Sequence, residues 1–263
     1  EGNMRDRPNC DRAAGTRRLA NAFVLLVFLC GCPVVKADDG YRLWLRYEQL
    51  PATSVTNYRQ RIKSIAVQGN SATVTAIRNE LRVGCMGLLG APVEIDPGRN
   101  DASVVVGTPQ TSPLVHSLGW EVELKKLGPE GFRIRTVQHA HRPLIVIAST
   151  TDIGALYGTF HFLRLLQTEL PIDDLQLDES PQLKLRLLNH WDNLDGSIER
   201  GYAGKSLWNW DELPKRSDPR LTDYARANAS IGINGAVLNN VNANAQILTA
   251  EYLDKVAAIA NVF

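Results

Sequence analysis

Hydrophobic positions switch between two periods along the chain, and the switches mark out its elements. Tyr41 to Tyr47 alternates aromatic and aliphatic residues with arginines, which predicts a strand. Ile62 to Val67 predicts a second. Ser71 then stands as an N-cap before Val74, Ile77, Leu81 and Leu88 at helical spacing. Ser103 to Val106 is a short buried strand. Phe132–Val137 and Leu144–Ala148 form a strand pair around the polar turn His139-Ala140-His141-Arg142-Pro143. Asp152 opens a long helix with Ile153, Leu156, Tyr157, Phe160 and Leu163 on one face. Residues 38–180 thus read as a mixed α/β domain with its own core.

The pattern changes after a polar, proline-bounded linker, Pro171 to Pro181. Leu183 to Leu188 predicts a strand that ends in the polar block Asn189–Asn193. After a long loop, Thr222 or Asp223 opens a helix to Ser230. Gly235 to Leu238 is a further strand, ending in Asn239-Asn240-Val241-Asn242, and Thr249 caps a helix running to Phe263. Strand, loop, helix, strand, helix is the start of a β/α repeat. Both strands end in polar residues at the C-terminal tips, which is the active-site face of a (β/α)₈ TIM barrel. A full barrel takes about 250 residues, so 181–263 is expected to be the first two β/α units of an incomplete barrel. The chain is then expected to be the N-terminal fragment of a longer protein.

Residues 1–37 read as a leader rather than as part of the fold. Arg5, Arg7, Arg12, Arg17 and Arg18 precede the apolar run Ala22–Cys32, and Val35-Lys36-Ala37 supplies small residues before Asp38. That is the layout of a signal peptide, and the run is too short to span a bilayer. Leu29-Cys30-Gly31-Cys32 also resembles a lipoprotein box, which makes a lipid anchor at Cys32 the alternative to simple cleavage. Either route places the mature protein outside the cytoplasm. Without residues 1–37 the chain carries 23 basic and 25 acidic side chains, so no global field favours nucleic acid. Only Cys85 remains, too few for an intramolecular disulfide, and its apolar helical setting predicts a buried thiol.

Three of the five tryptophans, Trp191, Trp208 and Trp210, fall within twenty residues directly after a strand. They are interleaved with Asn, Asp, Glu, Arg and Gly. Aromatic faces can stack on the CH-rich face of a pyranose ring, and the amides of Asn193, Asn239 and Asn240 can both donate to and accept from hydroxyl groups. The residues also allow plainer readings: Trp191 as a core aromatic, Trp208 and Trp210 as loop anchors, Asp192 and Glu199 as partners of Arg200 or Arg226. His139-x-His141 reads as two exposed turn residues, and Gly154-x-x-x-Gly158 as a site of close helix–sheet packing. No metal or cofactor is expected.

Five blocks occurring in order carry a more specific resemblance: Asn-His-Trp-Asp-Asn at 189–193, Glu-Arg-Gly-Tyr-Ala-Gly at 199–204, Ser-Leu-Trp at 206–208, Thr-Asp-Tyr-Ala-Arg at 222–226, and Gly-Ile-Asn-Gly at 232–235 followed by Asn-Asn-Val-Asn. The chain resembles glycoside hydrolase family 67, the α-glucuronidases of xylan breakdown. The resemblance implies an accessory α/β domain, a barrel and a C-terminal helical domain. It implies inverting removal of (4-O-methyl-)glucuronic acid from glucuronoxylan-derived oligosaccharides. Trp191 and Val241 match residues that line the uronic acid pocket, and Asn193, Asn239 and Asn240 join them as substrate-binding candidates. The catalytic carboxylates are expected beyond Phe263, as is the C-terminal domain through which a homodimer would form. A β-hexosaminidase-like hydrolase and a non-catalytic carbohydrate-binding module are the alternatives.

Overall fold

A computed structural model describes residues 38–96, 98, 101–238 and 244–263. The leader with Cys32, and the candidates Asn239, Asn240 and Val241, lie outside the described residues.

The larger sheet has six strands in the order β2-β1-β3-β5-β4-β6. These are β1 (Ser64–Val67), β2 (Glu94–Ile95), β3 (Val104–Gly107), β4 (Phe132–His139), β5 (Arg142–Ala148) and β6 (Gln176–Glu179). The first four in that order run parallel, and β4 is antiparallel to both of its neighbours. The parallel strands β1, β3 and β5 are covered on both faces, which explains their near-continuous apolar runs. On one face Val104, Val106, Ile145 and Ile147 pack against helices α2 (Ala72–Leu89) and α5 (Asp152–Gln167). On the other, Val105, Val146 and Ala148 meet Val115 of α3 (Pro113–Ser117) and Leu124 of α4 (Glu121–Leu127). A polar helix, α1 (Ala52–Arg61), precedes β1 and buries Tyr58.

Local chemistry sets the boundaries. Ser71 Oγ accepts from Val74 N at 3.1 Å and caps α2, while Gly90, at φ +69°, ends that helix in the left-handed region. Ala140 and His141 both have positive φ, as a two-residue hairpin turn between β4 and β5 requires. His139 and His141 are exposed at that tip. Gly158 lies so close to the sheet that a Cβ would stand 2.7 Å from Ile147 Cγ2, so the Gly154/Gly158 pair serves close packing. Cys85 is buried, and burial pushes its thiol up to about 12.

The second sheet is a parallel pair, β7 (Leu187–Asn189) and β8 (Gly235–Val237). Between them runs α6 (Pro219–Ser230), and α7 (Ala250–Val262) follows. This is the expected succession of two β/α units. Trp208, Trp210, Leu213, Leu221 and Ile259 form its core.

Several elements depart from expectation. Tyr41–Tyr47 is not a strand: Leu43–Arg46 form a 3₁₀ turn. Leu43 and Tyr47 have φ of +51° and +47°, which no strand accommodates. The Pro171–Pro181 segment contains β6, an edge strand. The strand expected from Leu183 starts only at Leu187, because Arg186 is held by Asn234, its N–H donating to Oδ1 at 2.9 Å and its carbonyl accepting Asn234 N–H. Helix α6 starts earlier than expected, with Asp218 capping and Pro219 in its first turn. Ile153, assigned to the buried face of α5, is exposed. Among the described residues no helix is long and apolar enough to cross a membrane.

Candidate functional site

The tip of β7 gathers the candidate chemistry. The parallel ladder continues one step past β7, His190 N donating to Val237 O at 2.9 Å. The chain then folds back on itself. Asn193 N donates to Ser197 O at 2.8 Å, Glu199 N donates to Trp191 O at 2.8 Å, and Asp192 bridges Ile198. Positive φ at Gly196 and Glu199 makes the reversal this tight.

Successive residues of this extended segment diverge. Trp191 is 44% exposed, whereas Asp192 on one side of it is only 3% exposed. On the other side, the His190 ring stands edge-on to Trp208 at 4.9 Å and meets Tyr224 at 5.4 Å. His190 Nε2 and the Tyr224 hydroxyl are 2.6 Å apart. Burial raises the Tyr224 hydroxyl above its ordinary value. Asp192 Oδ2 accepts from Ser206 Oγ, and Ser206 Oγ in turn accepts from Trp208 N at 2.9 Å. Asp192 Oδ1 lies 3.7 Å from His190 Nδ1.

The candidates therefore separate. Trp191 is presented to solvent and is not a core aromatic. Trp208 and Trp210 are core anchors. Asp192 takes Ser206 and His190 as partners, not Arg200 or Arg226, because Arg226 is committed to Glu80 and Asp223. Asn193 spends both donors on its own loop, reaching Ser197 Oγ at 2.8 Å and Glu199 O at 2.9 Å. Its buried Oδ1 has no partner among the described residues. The His190–Tyr224 and Asp192–Ser206 contacts were not anticipated, although the period-two pattern continued past Asn189 would have placed His190 and Asp192 on the side opposite Trp191. Among the described residues, no group of three or more His, Cys, Asp or Glu could hold a metal ion.

The family model for the glycosyl hydrolase family 67 N-terminus matches residues 43–162, and that for the family 67 middle domain matches 165–263. The chain belongs to glycosyl hydrolase family 67. The two family 67 matches meet within α5, and the middle-domain match holds the whole β7 tip. Alpha-glucuronidase A of Emericella nidulans is 35% identical over 253 residues, spanning 92% of this chain and 29% of that protein. Alpha-glucuronidase A of Aspergillus tubingensis is 33% identical over 249 residues, spanning 93% and 28%. The chain thus spans less than a third of the length of these family 67 relatives. A solved family GH115 4-O-methyl-alpha-glucuronidase overlays 66% of this chain and 25% of its own at TM-score 0.49 and 19% identity.

Proposed function

We propose that this chain is the N-terminal part of an α-glucuronidase that removes (4-O-methyl-)glucuronic acid from xylooligosaccharides by inverting hydrolysis. The observation that carries the reading is the matching of both family 67 models, in order, together with relatives named alpha-glucuronidase. In this reading residues 38–180 are the accessory domain and 181–263 begin the catalytic barrel. A protonated carboxyl group acts as acid on the leaving xylose oxygen, and a carboxylate activates water across the ring, the two about 6.5–9.5 Å apart. In this reading neither role falls to a carboxylate of residues 38–263. Trp191 and Val241 form one wall of the uronic acid pocket, with Asn193, Asn239 and Asn240 beside it. Support for Trp191 is its exposed indole at the C-terminal tip of the first barrel strand.

The reading includes export, supported by the basic, apolar and small-residue succession of residues 5–37, with acylation of Cys32 as the variant that would anchor the protein. It also includes a homodimer formed through a C-terminal domain.

The test uses aldouronic oligosaccharides with the 263-residue chain and with a longer form carrying the gene's following codons. Release of glucuronic acid by the longer form alone is the expected result. Release by the 263-residue chain, or by neither, overturns the reading.

A further inference from the structure

We propose that His190 and Asp192 are positioning residues that fix the direction of the Trp191 indole, a role that rests on reading Trp191 as a wall of the sugar pocket. The three are consecutive, and extended chain sends alternate side chains to opposite sides. Both neighbours of Trp191 turn inward and are tied there by directional contacts. Asp192 accepts from Ser206, which in turn receives Trp208 N. His190 shares a 2.6 Å hydrogen bond with Tyr224 and packs edge-on to Trp208. Trp208 itself is 1% exposed and belongs to the core under the two β/α units. The side chains are therefore anchored to the buried core of the region.

Trp191 has the opposite character. At 44% exposure its indole is not enclosed by the core. Its backbone is pinned on both sides, by His190 N to Val237 O and by Glu199 N to Trp191 O. The anchors set the twist of the backbone between them, and that twist aims the indole. Apolar residues at 190 and 192 would be buried equally well but would lack a directional tie. A buried carboxylate without partners is costly, so the Asp192–Ser206 contact also disfavours any rotation of the segment that breaks it. Stacking on a sugar ring requires the indole within a narrow range of angles, and its supporting shell supplies that.

The test measures Trp191 directly in the 263-residue chain. Steady-state anisotropy and iodide quenching of the Trp191 component are taken as the difference between each protein and the same protein carrying Trp191→Phe. Asp192→Asn and Tyr224→Phe are both expected to lower the anisotropy of that component and raise its quenching. In the longer form, each is expected to raise KM for aldouronic oligosaccharides about fivefold to tenfold, with kcat changed less than about threefold. Where Asp192→Asn does not fold, Tyr224→Phe, which removes only a hydroxyl, decides. Unchanged anisotropy and quenching in the folded variants overturn the proposal. A longer form that releases no uronic acid overturns the glucuronidase reading instead, and the fluorescence still decides the positioning.

Discussion

Arg226 on α6 grips Glu80 on α2 through two parallel hydrogen bonds, Nε to Oε2 at 2.8 Å and Nη2 to Oε1 at 3.0 Å. The Tyr47 hydroxyl donates to the same carboxylate at 2.6 Å, and Asp223 takes the remaining side of the guanidinium at 3.0 Å. Glu80 is only 4% exposed. Helix α6 of the β/α region is thereby locked onto α2 of the six-stranded sheet's helical layer through a fork-shaped charged contact.

Arg226→Met removes one half of this pair and leaves a buried carboxylate with Tyr47 alone. The expected loss is about 3–5 kcal/mol in urea unfolding. The double variant Glu80→Gln/Arg226→Met removes the uncompensated charge and is expected to recover part of that loss. A double variant less stable than Arg226→Met would show that the pair is not the source of the effect.

Asp178 on β6 receives Arg133 Nε and Nη2 of β4, each at 2.9 Å. The Arg133 hydrogen bonds hold its carboxyl below the ordinary value of 3.8, against a smaller opposing effect of burial. A folded-state value below the unfolded one contributes stability above the unfolded value, lost as pH falls through the folded value. The affected window is therefore below about pH 4. In that window the wild type should lose more stability than Asp178→Asn. Parallel pH profiles of unfolding free energy for the two proteins would refute it.

The interior of the six-stranded sheet and its helices was legible in the sequence, and its margins were not. Helix α2 announced itself because Ser71 is a true cap and Val74, Ile77, Leu81 and Leu88 all face one core. Strands β3 and β5 were visible because burial on both faces leaves no room for polar residues. Strand β6 was not, because Gln176, Asp178 and Glu179 are exposed on a sheet edge and its existence depends on β4 beside it. The same holds for Tyr41–Tyr47, whose alternation suits a strand but which has no sheet to join. At the β7 tip, residue types pointed to Trp191. What they could not reveal was that Ser206 and Tyr224, 14 and 34 positions from their partners, meet Asp192 and His190.

Cys85 should be inert in the folded chain. Its side chain is buried, and burial raises the thiol to about 12, so the reactive thiolate is scarce at pH 8. Peptide mapping after brief iodoacetamide treatment at pH 8 is expected to find residue 85 unmodified in native protein and fully modified in guanidinium. Modification of the native protein at the rate of a free thiol would mean that α2 opens far more readily than its packing implies.

The two sheets should differ in protection. Strands β3 and β5 each pair on both sides, and Val104, Val106, Val146 and Ile147 have no measurable exposure. In the smaller sheet every residue of β7 is exposed and β8 is half-buried, and among the described residues neither strand has a second neighbour. Leu183 and Leu185, just before β7, are 69% and 74% exposed, so little apolar burial holds its entry. Local opening of β7 and β8 therefore breaks few buried contacts, whereas exposing β3 requires dismantling both faces of the six-stranded sheet. Amides of β7 and β8 are expected to exchange at least about a hundredfold faster than those of β3 and β5, a difference of about 2.7 kcal/mol in opening free energy. Equal protection in a hydrogen-exchange time course would show instead that the contacts through Arg226, and the Arg186–Glu130 pair, fuse both sheets into one cooperative unit.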